Sequence, residues 1–254
     1  MNKRALVRRP GPRLEEGLLT HLERVPVDTE KAKHQWLGYV AALQAEGWEL
    51  FEVDAADDCP DAVFVEDTAV VYGDLAVVSR PGADQRKPET IGTEQTLLGL
   101  GYRMSHIEPP GTLDGGDVLK HGGTVWVGLG GRTNQAGLNQ LRAHLEPQGA
   151  TVIGVPVTKV LHLKSAVTAL PDGTVIGYDP LVDDPTAFPT YLSVPEEPGA
   201  HVVLLDGSTV LMSTSAPRTQ ELFESRGLRV VAVDISEYEK LEGCVTCLSI
   251  RLRG

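Results

Sequence analysis

Cys247, His162, Asp114 and the Glu66–Asp67 pair are the residues of this chain whose types and spacing could do chemistry. Glu66 and Asp114 are 48 residues apart, and Asp114 and His162 are again 48 apart. Each sits in a similar setting, a short apolar strand that carries a polar residue ahead of a Gly- or Asp-containing turn. The Leu204–Asp206 region and Cys247 fall at matching places in two further segments. If the segments are arranged about an axis, these side chains converge. A thiol, an imidazole and two carboxylates meeting there supply a nucleophile, an acid/base and a pair that binds a cation. Arg86 and Arg132, 46 residues apart, both follow the second strand of their segments and could clamp a carboxylate. Cys244 forms C-x-x-C with Cys247. On a strand, residues three apart face opposite sides, so the sulfurs are expected to diverge, with Cys244 as packing. With three cysteines in all, a four-cysteine zinc site is excluded.

The elements that must position these residues repeat along the chain. AVFVEDTAVVYGDLAVVSRPG leads to a helical stretch, ETIGTEQTLLGLG, and a closing strand, YRMSHIEPP. TLDGGDVLKHGGTVWVGLGGRTN leads to helix QAGLNQLRAHLEPQG and ATVIGVPV. KVLHLKSAVTALPDGTVIGYDP is followed by a poorly helical Pro-containing loop (Asp183–Pro189) and YLSVPE. AHVVLLDGSTVLMSTSAP leads to helix RTQELFESRG and LRVVAVD. A fifth copy is split: CVTCLSIRLRG ends the chain, and RALVRRPG with helix TEKAKHQWLGYVAALQAEG begins it. Pairing of the terminal strands would close the ring and remove exposed sheet edges. The Gly–Asp, Gly–Gly and Asp–Gly turns are hairpin chemistry. Trp36, Leu37, Val40 and Leu43 form an apolar stripe on the first helix, with Gly47 at its C-terminus. The expected architecture is α/β: one domain over 1–254, a five-bladed pseudo-symmetric α/β propeller closed by the N- and C-terminal segments.

The 254 residues carry 35 acidic and 23 basic side chains, a net charge of −12 and 41% apolar residues. This is an ordinary globular composition, which argues against disorder. No run reaches the ~18 consecutive apolar residues of a membrane helix, and the basic N-terminus lacks a secretory apolar region. Few, odd-numbered cysteines fit a reducing cytoplasm. The acidic balance disfavours nucleic acid and favours a cationic ligand. RALVRRP is read as a strand with a solvated face.

VFVED, TLDGGDVL, VGLGGRTN, LHLKS and VTCLS, in this order and spacing, closely resemble dimethylarginine dimethylaminohydrolases, of the guanidine-modifying (pentein) superfamily. The resemblance runs nearly end to end. It implies a five-unit α/β propeller without metal or organic cofactor, and hydrolysis of Nω-methylated arginine to citrulline and a methylamine. Cys247 would be the nucleophile and His162 the proton donor and later general base. Asp67 and Asp114 would hold the guanidinium, and Glu66 would contact substrate on the strength of the resemblance alone. Arg86 and Arg132 match the carboxylate clamp, Asp61 the residue facing the α-amine, and Leu18 and Leu241 backbone or wall contacts. Glu242 stands where the family typically has Asp. Asp117 is left to turn chemistry, and Lys164 and Ser165 to supporting or surface places. The implied partner is a small-molecule guanidine, with no nucleic acid or membrane and with a homodimer left open. The competing readings are a hydrolase or deiminase of arginine, agmatine or another guanidine on the same fold, an amidinotransferase, or a non-catalytic binding protein for arginine derivatives. Fold alone does not choose among them.

Overall fold

Among the described residues, five three-stranded sheets share one internal order. The computed structural model describes residues 3–252. In every sheet the first strand runs antiparallel to the middle one, which pairs in parallel with the third. β1 (Arg4–Val7) is the middle strand of the sheet that holds both ends of the chain. It pairs in parallel with β2 (Glu49–Glu52) and antiparallel with β15 (Ile250–Leu252), Arg4 opposite Leu252. The closing of the ring by the terminal segments is therefore present in the register itself. The other blades are β3 (Ala69–Tyr72), β4 (Leu75–Val78) and β5 (Arg103–His106); β6 (Val118–His121), β7 (Thr124–Leu129) and β8 (Thr151–Pro156); β9 (Val167–Ala169), β10 (Val175–Gly177) and β11 (Tyr191–Ser193); and β12 (Val203–Leu204), β13 (Thr209–Ser213) and β14 (Arg229–Val233). A parallel pair needs a crossover, and helices supply most of them.

Helix α1 (Thr29–Ala45) links β1 to β2, α2 (Thr90–Gly99) links β4 to β5, and α3 (Gln135–Leu145) links β7 to β8. One turn, α4 (Leu163–Ala166), precedes β9; α5 (Pro217–Ser225) links β13 to β14, and α6 (Ser236–Glu239) follows β14. The β10–β11 crossover is made of 3-10 turns at Asp179–Leu181 and Pro185–Ala187, in keeping with its prolines. Helix ends follow local chemistry. Asp28 caps α1 by accepting the Lys31 N–H, and Asn134 caps α3 through Gly137, each satisfying a donor the helix leaves free. Gly47 takes φ +78° after α1, as a helix terminus favours. The buried face of α1 is Ala32, Gln35, Trp36, Tyr39 and Leu43. Leu37, expected on that stripe, is 56% exposed, because the face follows the 32–36–39–43 spacing and leaves 37 one step outside it.

Core side chains lie between neighbouring blades. Leu138, Leu141 and Leu145 of α3 pack with Val70, Val77, Val118 and Val125. Tyr39 of α1 donates to the Val245 carbonyl and pairs with Ser249, and Tyr238 donates to the Ala32 carbonyl. These bonds fix the segment that carries Cys247 against the first helix. Arg8 overturns the expected solvated face: it is 1% exposed and donates to the carbonyls of Asp54, Ala62 and Glu89. A buried guanidinium must find acceptors, and those it finds tie the first blade to the loop bearing Arg86. Gly122 and Gly123, both at positive φ, close the β6–β7 hairpin in the left-handed conformations such a two-residue turn demands.

Candidate active site

The polar residues read from the repeats are not on the first strands. They lie in, or immediately ahead of, short turns that precede those strands: Glu66 and Asp67 within Val65–Thr68 before β3, Asp114 in extended backbone just ahead of Gly115–Asp117 before β6, His162 likewise just ahead of α4 before β9, and Cys247 in the turn over 244–248 before β15. The difference decides which side chains meet. A strand alternates faces every residue, whereas a 3-10 turn returns to the same side after three. Cys244 and Cys247, linked by a Cys247 N–H to Cys244 carbonyl bond of 3.1 Å, therefore converge: their sulfurs lie 3.3 Å apart. The expected divergence is overturned, and Cys244 is a neighbour of the candidate nucleophile. In the fourth segment the turn ahead of β12, Glu197–Ala200, brings no such group to the site. Leu204 and Asp206 line a separate, larger cavity of about 450 Å³, one that none of Cys247, His162, Asp67 or Asp114 lines.

A small cavity brings together Leu18, Asp61, Asp67, Arg86, Arg132, His162, Leu241 and Cys247, with Phe64 and Glu242 in its wall. Asp114 stands directly behind it. His162 is 2% exposed and lies between two carboxylates, Nε2 3.0 Å from Asp114 Oδ2 and Nδ1 3.7 Å from Asp67 Oδ1. Burial alone would lower its pKa, but Asp67, Asp117 and Asp114 together outweigh that and raise it to about 9. Burial would raise Asp67, and the cations His162 and Arg86 reverse this, holding it at about 2. The histidine is thus a charged proton donor at neutral pH. Donor atoms of Asp67, Asp114 and His162 lie within 4.8 Å of one another, a set that could also ligate a cation. Cys247 is raised well above an ordinary thiol by its hydrogen bond with Cys244, by burial, and by the negative charges of Glu66 and Asp67. A bound guanidinium would offset that negative field and draw the thiol toward its thiolate.

Supporting bonds hold each group in place. Asp67 accepts from Gly116 N–H (2.8 Å) and Arg86 Nη1 (2.6 Å). Asp114 Oδ1 accepts from Gly82 N–H at 2.9 Å. Asp117, assigned by its sequence setting to a turn, is buried and has a further part: it accepts from the Leu163 N–H, next to His162, and from Thr133, whose hydroxyl accepts the Asp114 N–H. Burial pushes Asp117 up to about 6. Its signal in the sequence is the Asp-Gly-Gly-Asp spacing, which puts two carboxylates on either side of one 3-10 turn.

Gly116 has a sharper requirement. A Cβ there would lie 2.6 Å from both Asp67 Oδ1 and His162 Nδ1. Gly116→Ala must push apart the two groups that define the site, and an error of about 1 Å in such positions costs on the order of 10²-fold in rate. The expected result is a loss of that size in kcat with the thermal transition still cooperative; a rate within a few-fold of the parent would overturn it.

The arginines differ from one another. Arg86, expected as a clamp at the mouth, is 3% exposed, and its donors are engaged by Glu89, Asp67 and the Asp61 and Phe64 carbonyls. Arg132 carries a buried Nη1 with no hydrogen-bond partner, 3.7 Å from Asp114 Oδ2. That atom is the cationic donor available to an anion. Asp61 accepts the Leu18 N–H with both oxygens at 3.1 Å, and burial raises its pKa. Glu66 lies outside the small cavity. It lines the larger one and is bonded to Thr246, Lys164 and Arg251 at 2.8, 2.6 and 2.5 Å, because adjacent residues of a 3-10 turn point about a third of a turn apart. Lys164 is accordingly buried. Glu242 sits in the left-handed region at φ 58°, and its Oε1 accepts the N–H groups of Thr20, His21 and Leu22. It fastens the segment after Leu18 over the cavity.

No family model matches the chain. Individual relatives do. The N(G),N(G)-dimethylarginine dimethylaminohydrolase of Streptomyces coelicolor is 63% identical over 252 residues, covering 99% of this chain and 98% of its own. The enzyme of the same name from Pseudomonas aeruginosa is 34% identical over 256 residues, covering 99% and 100%. A solved structure of the Pseudomonas aeruginosa protein, a cysteine-to-serine variant complexed with citrulline, superposes with a TM-score of 0.91 at 33% identity, covering 99% of this chain and 100% of that one. Fold and site together define an α/β-propeller hydrolase of C–N bonds with a cysteine, a histidine and paired carboxylates in its cavity. The chain belongs to the dimethylarginine dimethylaminohydrolase family.

Proposed function

We propose that the protein hydrolyses Nω-methylated L-arginine, asymmetric dimethylarginine or monomethylarginine, to L-citrulline and dimethylamine or methylamine. The observation that carries this reading is the carboxylate-bracketed, protonated His162 in the same cavity as Cys247, with Arg132, whose Nη1 lacks a hydrogen-bond partner, also in its wall. Asp67, backed by Asp114, holds the guanidinium cation by charge-assisted bonds. Asp61 and the Leu18 and Leu241 segments receive the α-ammonium, and Arg132 receives the α-carboxylate. Arg86 acts through Asp67, and Glu66 through Lys164, Thr246 and the Cys247 segment, whose carbonyl accepts the Glu66 N–H at 3.2 Å.

The Cys247 thiolate adds to the central guanidinium carbon, and His162 gives its proton to the departing amine. The C–N bond breaks and a cationic S-alkylthiouronium remains on Cys247. His162, now neutral, takes a proton from water, which adds to the same carbon. The C–S bond then breaks, releasing citrulline and restoring the thiol. The attacked carbon carries positive charge, so carboxylates take the place that anion-binding donors hold in acyl transfer.

Turnover is tested by incubating the protein with asymmetric dimethylarginine, monomethylarginine, arginine and agmatine, scoring ureido product. Citrulline from the methylated arginines is the expected result. Turnover of arginine alone would make the protein a plain arginine hydrolase, since a methyl group contributes only ~1–3 kcal/mol of discrimination. The Arg132 role has its own test. A charged hydrogen bond is worth about 1.5–3 kcal/mol, so Arg132→Gln should raise KM for the methylarginines by roughly 10- to 100-fold while kcat changes little. Inhibition by agmatine, which has no carboxylate, should stay unchanged; an equal loss for both ligands would refute the contact.

Among the described residues no helix is long and apolar enough to cross a membrane. We place the protein in the cytoplasm, where its three unbridged cysteines remain reduced, acting on a small molecule without nucleic acid or membrane as partner. The homodimer left open above is decided by sedimentation.

A further inference from the structure

The catalytic reading uses one sulfur of the C-x-x-C pair and leaves the other without a task. Cys244 Sγ is 3.3 Å from Cys247 Sγ and 3.2 Å from the Thr246 hydroxyl, and the Cys244 N–H points at Cys247 Sγ at 3.4 Å. Both thiols are buried, 4% and 6% exposed, but they are not equivalent. Cys247 is in the wall of the small cavity, and Cys244 is not; it lies behind, toward the Lys164 carbonyl. A small oxidant entering the cavity therefore meets Cys247 first, with a second thiol already in contact on its far side. The remaining cysteine, Cys59, sits in another part of the chain near the Gln85 carbonyl.

We propose that Cys247 and Cys244 form a redox modification site, in which hydroperoxides oxidise Cys247 and Cys244 resolves the product to a reversible intramolecular disulfide. The proposal rests on the reading of Cys247 as the reactive thiol of the cavity. In the first step Cys247, giving its proton to solvent, attacks one oxygen of hydrogen peroxide; the O–O bond breaks, hydroxide leaves and takes up a proton, and the sulfur becomes a sulfenic acid. In the second, the Cys244 thiol, losing its proton, attacks that sulfur; the S–O bond breaks and water leaves. Two thiols and one peroxide thus give one disulfide and two waters. A dithiol reverses the change by thiol–disulfide exchange, becoming a disulfide itself. The sulfurs must approach by about 1.3 Å to reach the ~2.0 Å of a bond. Both lie in one four-residue turn, 244–247, that precedes β15, so the move needs side-chain rotation within that turn and no shift of a blade. While the bond stands, the nucleophile is masked and cannot be driven on to sulfinic or sulfonic acid, the irreversible steps of sulfur oxidation.

The experiment exposes the full-length protein, Cys244→Ala and Cys247→Ser to a small excess of hydrogen peroxide, with and without later dithiothreitol. Each is followed by intact mass, by thiol titration under denaturing conditions, and by turnover relative to its own untreated sample. The parent is expected to lose two hydrogens in mass, to fall from three titratable thiols to one, to map as a Cys244–Cys247 cross-link, and to recover fully with dithiothreitol. Cys244→Ala should instead gain oxygen atoms at Cys247 and stay inactive after reduction. Oxygen gain at Cys247 in the parent with Cys244 left free would overturn the proposal, as would full reversibility in Cys244→Ala. Mass and thiol count decide the matter whether or not a guanidine is turned over, so failure of the disulfide is distinguishable from failure of the proposed activity.

Discussion

Cys247→Ser is expected to abolish turnover of methylated arginine, by on the order of 10⁴-fold or more, while the fold stays intact. The effect follows from what the cavity can and cannot ionise. A thiol, even one held high by Cys244, burial, Glu66 and Asp67, is brought to its anion when a guanidinium arrives and offsets that negative field, because a thiol is intrinsically far more acidic than a hydroxyl. A serine hydroxyl in the same negative surroundings starts far higher, and no base adjoins it to compensate: His162 carries a proton that its flanking carboxylates retain. The backbone of the turn does not depend on the sulfur, since its bonds are Cys247 N–H to Cys244 carbonyl and Glu66 N–H to Cys247 carbonyl. Thermal melting should therefore match the parent within a few degrees. The check is single-turnover assay with intact-mass quench, in which the parent gains the mass of the thiouronium adduct and the variant gains none. A variant rate within tenfold of the parent would remove Cys247 from the mechanism.

Much of the architecture was legible because a propeller repeats its own pattern. Turn pairs such as Gly122–Gly123 and the equal 48-residue intervals report a period, and a period places unlike side chains at one radius. The split first blade was readable for the same reason, its two ends completing a unit that neither could form alone. The local geometry within each unit was less accessible. Pentapeptides such as VFVED and VTCLS alternate or run apolar as strands do, and nothing in their composition announces a 3-10 turn. Propensity is a weak prior there, because the turn is held by tertiary bonds such as Gly116 N–H to Asp67 and Leu163 N–H to Asp117. That one uncertainty had consequences in opposite directions. It hid the meeting of Cys244 with Cys247, and it hid where Glu66, read as a substrate contact on the resemblance alone, is sent by the turn: to Lys164 and Arg251. Arg86 and Arg132 looked alike by position. What separates them is partnership: Glu89, three residues beyond Arg86, and Asp67 engage one guanidinium closely, while Arg132 Nη1 meets only the more distant Asp114 carboxylate, at 3.7 Å, and has no hydrogen-bond partner. Arg8 shows the same limit, as a charged side chain with several carbonyls to bind is indistinguishable in sequence from one facing water.

His162→Asn is expected to lower kcat by about 10²- to 10⁴-fold, the span of positioned acid–base catalysis, and to remove a specific feature of the pH profile. In the parent the amine leaves by taking the His162 proton. With the free-protein pKa at about 9, kcat/KM should be sustained below that value and fall as pH rises through it. Asparagine keeps a side chain of similar reach beside Asp114 but has no proton to give, so the basic limb near 9 should vanish along with the rate. The same group makes a stability prediction whose sign is fixed. Its folded pKa is raised above the ordinary value of 6.5, so its contribution to stability is complete below about 6.5 and is lost as pH rises through about 9. Asp67, held at about 2, contributes over the opposite range: its part is present above the ordinary carboxylate value and lost only as pH falls toward 2. Urea unfolding at about pH 6 and about pH 10 should then show the parent losing stability between the two, and His162→Asn losing less. A variant that keeps the parent's basic limb would assign that limb to Cys247 or another group and take the proton donor away from His162. A variant whose stability falls with pH as steeply as the parent's would mean that the charge between Asp67 and Asp114 is not held by this imidazolium.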